Sequence, residues 1–292
     1  MNIQTPHSVA PETSPLVEFW NEVLAPKLVK YQHILVGGLS RHSAAVMPTL
    51  NVKRGDHVLD VGCGFGDTTI ALANKVAPTG HALGVDCCAA FLVRAWDLAE
   101  KSWIPNVKFA TADVEQGVTE GPFDFVFARF GTMFFANPVT GLKAIHQAMK
   151  PGAEFAHIVW RDLADNPWMN EAKTIVRTFL PAPGEDARTC GPGPFSMADE
   201  ATTRLQMAAA GFSDIAFKRI DEKVLVGRTI EEAIGFQLAL GPAGETFREA
   251  GPLREIHRAE IEEVLTEMFA KAEADENGLW MDSSSWLITA RA

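Results

Sequence analysis

The run Val58-Leu-Asp-Val-Gly-Cys-Gly-Phe-Gly-Asp67 constrains this chain more than any other stretch. Apolar residues around an acid read as the end of a buried strand, and Gly62, Gly64 and Gly66 then form a tight turn into the amphipathic run Thr68–Val76. Residues without a Cβ at these points let a ligand lie against the main chain. Strand, glycine turn and helix N-terminus together build a binding crevice at the carboxyl edge of a parallel sheet. The spacing narrows the ligand. A dinucleotide fingerprint, G-x-G-x-x-G, would put its third glycine at position 67, where Asp67 stands; the pattern here is G-x-G-x-G, preceded by Asp60. The loop reads as a nucleoside-binding one of a kind other than the NAD loop.

Strand and helix signals alternate from there. Strands are expected at Val58–Val61, Ala82–Asp86, Val107–Thr111, Phe123–Phe127 and Glu154–Trp160. Helices are expected at Asp67–Val76, Phe91–Lys101 and Pro138–Met149, the last stopped by Lys150-Pro-Gly152. Alternation at this spacing argues for βαβ units, right-handed crossovers and a parallel sheet. After Trp160 the pattern loosens. Residues 161–197 are rich in proline and glycine, a helix is expected at Ala198–Ala210 and a strand or two at Phe212–Val226. A long helical stretch, Thr229–Ala274, then precedes a final strand, Ser285–Ala290.

Composition removes several classes. A net charge of -11 argues against a nucleic-acid partner, which wants a basic face for its phosphates. No run of about 18 apolar residues marks a membrane-spanning helix, so no membrane partner is expected. Met1–Pro15 is polar and proline-dotted, lacks the basic-then-apolar profile of a signal peptide, and is expected to be a loose tail. Cys63, Cys87, Cys88 and Cys190 follow no zinc spacing; no metal is expected, and they read as reduced thiols in a cytoplasmic protein.

Four motifs in order carry a resemblance: Asp60-Val-Gly-Cys-Gly-Phe-Gly66, Gly84-Val-Asp86, Ala112-Asp113 and Met149-Lys-Pro-Gly152. They are similar to those of class I S-adenosylmethionine-dependent methyltransferases, in particular the bacterial small-molecule group near the ubiquinone and menaquinone biosynthesis methyltransferases. Phe125–Pro138, Asn166-Pro-Trp-Met169 and Gly193–Asp199 resemble later signatures of that group. Upstream of about residue 50, only Phe19-Trp20-Asn21 carries the likeness. Cys87-Cys88 departs from the pattern, because aliphatic or polar residues are commoner after the acid.

The resemblance implies an α/β fold: a doubly wound, mostly parallel seven-stranded Rossmann-like sheet with a helical cap. Residues 1–50 would form an N-terminal tail and helical lid, and 51–160 the cofactor-binding core. Residues 161–227 would form a linker, cap helix and core strand, 228–278 a helical cap insertion, and 279–292 the final core strand. It implies S-adenosylmethionine as cofactor, S-adenosylhomocysteine as product and a small-molecule methyl acceptor as partner; a homodimer is left open. Asp86, with Cys87 beside it, would accept from both ribose hydroxyls, the alternative being a helix-capping aspartate. Asp113, with Val114, would accept from the adenine amino group, or else is a turn aspartate. Gly62, Gly64 and Gly66 would admit the methionyl part, Asp60 would help hold its ammonium, and Arg129 and Phe130 would lie beside the methionyl part and the methyl. Cys63 reads as a small packed residue.

Methyl transfer is an in-line displacement in which most of the acceleration can come from holding the acceptor about 3 Å from the methyl. Catalytic side chains are therefore weakly signalled. Where the acceptor needs a base, His33 and His42 on the N-terminal segment are the candidates, and His157 reads equally well as a packed strand residue. The acceptor pocket is expected from Trp20, Tyr31, Phe134, Phe135, Trp160 and Trp168, with Phe19, Phe195, Phe236 and Trp280 nearby, unless these aromatics are core. Apolar walls of this kind suit an aromatic or lipophilic metabolite. Two rival readings remain: a non-catalytic nucleoside-binding sensor or partner subunit, and an NAD(P)-dependent oxidoreductase. Asp67 and the lack of a Tyr-x-x-x-Lys pair, Tyr31 being the only tyrosine, speak against the second.

Overall fold

The computed structural model describes residues 14–292. The loose tail expected at Met1–Pro15 falls outside these residues except for Ser14 and Pro15, which begin a helix; the Ser14 hydroxyl caps it by accepting from the Val17 amide at 3.2 Å. The strands in chain order are β1 (His57–Val61), β2 (His81–Asp86), β3 (Val107–Thr111), β4 (Phe123–Arg129), β5 (Met149–Trp160), β6 (Ser213–Gly227), β7 (Glu273–Asp275) and β8 (Gly278–Arg291). They make one sheet in the order β3-β2-β1-β4-β5-β8-β6, with β7 paired to β8. The first five are parallel, and β8 runs antiparallel between β5 and β6. Strand order reverses between β1 and β4, so a crevice opens at their carboxyl ends.

β1 and β4 are nearly unbroken apolar runs because both faces of the sheet are covered. Val58, Leu59, Val126 and Phe127 are fully buried. The helices Asp67–Val76 and Ala89–Lys101 follow β1 and β2, and Pro138–Gln147 follows β4. N-terminal to the sheet, the helices Pro15–Phe19 and Ala25–Lys30 flank a π-helical turn, Trp20–Leu24, and lead into Gln32–Val46. This last helix lies directly on β6: a Cβ at Gly38 would stand 2.9 Å from the Leu225 carbonyl oxygen.

Three expectations need correction. The sheet has eight strands rather than seven, because β7 forms a hairpin with the start of β8. Its turn is chemical: the Asp275 carboxylate accepts from the amides of Asn277 at 2.8 Å and Gly278 at 3.1 Å and from the Trp280 indole at 2.8 Å. The helical stretch expected at Thr229–Ala274 is instead four helices, Ile230–Ala239, Gly241–Glu249, Leu253–Ile256 and Arg258–Phe269, with Gly241-Pro242 and Gly251-Pro252 at the breaks. Within the loosely patterned 161–197 stands a full helix, Pro167–Phe179, burying Trp168, Met169, Ala172 and Val176 along one face. Asn166 anchors its start. Its side-chain amide donates to the carbonyls of Arg161, Asp162 and Ser284, and its carbonyl accepts from the Ser284 amide at 3.0 Å.

Candidate active site

A cavity of about 280 Å³ occupies the crevice at the carboxyl ends of β1, β2 and β4, roofed by the N-terminal helices. Its floor is the glycine turn. The amides of Gly62 and Cys63 both donate to the Val85 carbonyl, at 2.8 and 3.0 Å, which ties the turn to β2. Gly64 is left-handed at φ 53°, and a Cβ there would meet nothing within 4 Å, so bare main chain faces open space. Gly66 differs. At φ 81° it caps the helix Asp67–Val76, and a Cβ would stand 2.7 Å from Ala95 Cβ and 2.9 Å from Phe109 Cζ. Gly66 does not line the cavity; helix packing requires it, which corrects the expected ligand role.

Asp86 closes β2 and lines the cavity. Its Oδ2 accepts from the Gly64 amide and its Oδ1 from the Cys88 amide, both at 2.9 Å. Burial pushes its carboxyl up to about 6 in spite of those donors. Each oxygen keeps a lone pair for a further donor. Asp113 lines the cavity too and accepts from the Glu115 amide at 3.0 Å, while Glu115 accepts from the amides of Ala136 and Asn137 at 2.8 and 2.7 Å. Cys87, Val114, Arg129 and Phe130 complete this end.

Asp60 is placed elsewhere than expected. It is 1% exposed and lies behind the cavity wall, its Oδ2 accepting from the hydroxyls of Thr68 and Thr69 at 2.7 Å each. Its Oδ1 is buried without a partner among the described residues, and burial pushes the carboxyl up to about 6. Thr68, not Asp60, reaches the cavity. Arg129 is held by Asp67 through Nη1–Oδ2 at 2.7 Å and Nη2–Oδ1 at 2.8 Å, and Nη1 also donates to Ser43 Oγ at 3.0 Å.

Phe130, just past β4, is left-handed at φ 56°. For an aromatic residue that backbone is strained by about 1–3 kcal/mol. Stacking on Trp160, with centroids 4.0 Å apart and rings 20° from parallel, holds it there. Trp20, Phe134, Phe135, Trp160 and Trp168 line the aromatic end of the cavity. Trp20, Phe134 and Trp168 also line an adjoining chamber of about 150 Å³, together with Phe19 and Phe236. Tyr31 does neither. It is buried behind the wall, edge-on to Phe236 at 5.4 Å. Phe195 lines neither space, and Trp280 is on a different face under the Arg41 guanidinium, 3.6 Å from the ring centroid.

The histidines are not at the cavity. His33 is on the outer face of its helix, paired with Glu232 at 2.8 Å. His42 is fully buried. Ser283 Oγ donates to the Glu222 carbonyl, so it accepts from His42 Nε2–H at 2.8 Å, and Nδ1 then accepts from Ser285 Oγ at 2.9 Å. With both nitrogens engaged and burial lowering it to about 4, His42 is a neutral structural group behind Phe130 and Trp160. His157 is equally buried, bonded to Thr132 through Nδ1 and lowered by burial to about 3. The roles expected of His33 and His42 are corrected accordingly.

Sequence reasoning missed Asp67, Ser43 and Thr68, and the apolar roof of Leu35, Val36 and Leu39. The roof was readable: positions 35, 36 and 39 share one helix face, opposite His33, Gly37 and Ser40.

Sheet order, glycine turn and the acid closing β2 give a Rossmann-like α/β fold similar to that of S-adenosylmethionine-dependent methyltransferases. Residues 52–179 match the model of a family described as a methyltransferase domain. It is 27% identical over 181 residues to a demethylmenaquinone methyltransferase of Listeria welshimeri, covering 61% of this chain and 72% of that one. The fold is similar to that of the YcgJ protein of Bacillus subtilis, with a TM-score of 0.55 at 14% identity, covering 86% of this chain and 98% of that one. It is also similar to phosphoethanolamine N-methyltransferase 2 of Haemonchus contortus in complex with S-adenosyl-L-methionine, with a TM-score of 0.56 at 15% identity, covering 97% of this chain and 61% of that one. At such identities these structures speak for the fold alone. No helix among the described residues is long and apolar enough to cross a membrane.

Proposed function

We propose that this chain transfers a methyl group from S-adenosylmethionine to a small aromatic or lipophilic acceptor held against Trp20, Phe134 and Trp168. One observation carries the reading: a single cavity runs from the open main chain at Gly64 and the Asp86 carboxylate to an aromatic wall. The residues fit the cofactor. Unfilled space over Gly64 suits its close approach, and Asp86 keeps free lone pairs for the ribose diol. Asp113 and Val114 would flank the adenine, and Phe130 and Arg129 the methionyl end.

When bound, S-adenosylmethionine supplies an activated methyl on a sulfonium. The chain's own part is binding, orientation and exclusion of water. The stacked Phe130–Trp160 pair gives the acceptor a rigid flat surface, and Leu35, Val36 and Leu39 cover it. No histidine or tyrosine among the described residues lines this cavity, and the carboxylates that line it are those of Asp86, Asp113 and Glu115. Positioning then supplies the rate enhancement.

Calorimetry with S-adenosylhomocysteine and with NAD separates this reading from an oxidoreductase: the first binds and the second does not. Incubation with S-adenosylmethionine and a metabolite extract, read by mass spectrometry, yields a methylated product. Cofactor binding with no methylated product in any extract would favour a nucleoside sensor instead.

A further inference from the structure

Cys88 packs with Ala25, Phe65 and Phe91 and Cys87 lies against that cluster, but methyl transfer gives their sulfurs no chemistry. Neighbouring side chains on an extended strand point to opposite faces, yet these two Sγ atoms lie 3.9 Å apart. Asp86 makes the bend, its Oδ1 accepting the Cys88 amide two residues on at 2.9 Å. A carboxylate oxygen and both sulfurs therefore lie within 4.8 Å of one another. Two bonds of about 2.3 Å to a tetrahedral ion hold its sulfurs about 3.8 Å apart. The thiol pair already has the spacing that one soft ion would impose.

We propose that Asp86, Cys87 and Cys88 form a site for a soft divalent cation, and that its occupation excludes the adenosine end of the cofactor. The ion takes both sulfurs as thiolates and two protons leave to solvent, so no oxidant or reductant is needed. Cys88 is fully buried, whereas Cys87 and Asp86 line the cavity, so an ion held by all three sits in the cavity wall. It would occupy the carboxylate that the proposed function assigns to the ribose. The exclusion rests on that assignment; the dithiol site does not.

The test is equilibrium dialysis of the full chain against cadmium chloride, with and without S-adenosylhomocysteine. Wild type and Cys190→Ser take up one equivalent of cadmium, and Cys87→Ser and Cys88→Ser, checked for folding by thermal melting, lose it at the same concentration. With cadmium at about 100 times its own dissociation constant, mutual exclusion weakens apparent S-adenosylhomocysteine affinity about 100-fold. Cadmium uptake unchanged in a folded Cys87→Ser variant overturns the site. Uptake that requires both thiols yet leaves nucleoside affinity unmoved overturns the exclusion. Failure of S-adenosylhomocysteine to bind metal-free protein, with cadmium uptake still thiol-dependent, overturns the cofactor reading and supports the dithiol site.

Discussion

Arg129 and Asp67 meet in a two-point ion pair, Nη1 to Oδ2 at 2.7 Å and Nη2 to Oδ1 at 2.8 Å, that joins the end of β4 to the first turn of the helix after the glycine loop. Ser43 extends it to the roofing helix. The Arg129 side chain is only 9% exposed and that of Asp67 21%. Asp67→Ala therefore leaves a largely buried cation unpaired and lowers stability by about 2–4 kcal/mol, whereas Ser43→Ala lowers it by about 0.5–1.5 kcal/mol. Urea denaturation of both variants checks the ranking; equal losses would mean that the ion pair carries no special weight.

Gly64 and Gly66 separate ligand from packing. A methyl at Gly66 collides with Ala95 and Phe109, so Gly66→Ala lowers the melting temperature, by several degrees for each kcal/mol lost. A methyl at Gly64 meets no protein atom within 4 Å and points into open space. Gly64→Ala adds only about 1 kcal/mol of backbone strain but weakens S-adenosylhomocysteine binding at least as much. Calorimetry beside thermal melting distinguishes the two.

Asp86 sets a pH dependence for the cofactor. Its carboxyl titrates at about 6 in the folded protein against 3.8 for the free side chain, because burial disfavours the charge. Its contribution to stability is thus full below about 3.8 and lost as pH rises through about 6. The ribose hydroxyls prefer the ionised form, so S-adenosylhomocysteine affinity falls by up to about tenfold per unit as pH drops below 6. Asp86→Ala loses this dependence and weakens binding by about 1–3 kcal/mol at neutral pH. Titrations from about pH 7 to about pH 5 read both effects.

His42 works in the opposite sense. Its folded value of about 4, against 6.5 for the free side chain, means that its neutral form is favoured by the fold. That stability is present above about 6.5 and lost as pH falls toward about 4. Between pH 7 and pH 5 its share of the loss is about 2 kcal/mol, at 1.36 kcal/mol per unit. His42→Gln is less stable at pH 7, and its deficit against wild type shrinks by that amount at pH 5. The pH–rate profile stays as in wild type, as expected of a group that never touches substrate.

How much of this could be read from sequence depends on how local each feature is. The glycine turn, Asp86 and the alternation that builds β1 to β5 are set within a few residues, and they were legible. In sequence His42 is only a candidate base, because its partners, Ser283 and Ser285, come from β8 and are brought to it only by the sheet. Asp67 shows in sequence only as the residue where a dinucleotide loop has glycine, because its partner Arg129 lies a strand away. The helix Pro167–Phe179 hid among prolines, although Trp168, Ala172 and Val176 fall on one face. Tyr31 shows the limit of composition: an aromatic beside a pocket and an aromatic behind its wall look the same in one dimension.

Phe134 stands in both the main cavity, of about 280 Å³, and the adjoining chamber, of about 150 Å³. Phe134→Ala merges the two spaces. Affinity for the best natural-sized acceptor falls, and larger acceptors gain relative to smaller ones in competition assays read by mass spectrometry. An unchanged size preference would remove Phe134 from the acceptor wall.

Gly38 rests on the Leu225 backbone with no room for even a methyl between them. The long helix that shelters the cavity is thus a doorpost, fastened to the sheet along its middle, and a swing of the whole helix would tear it from β6.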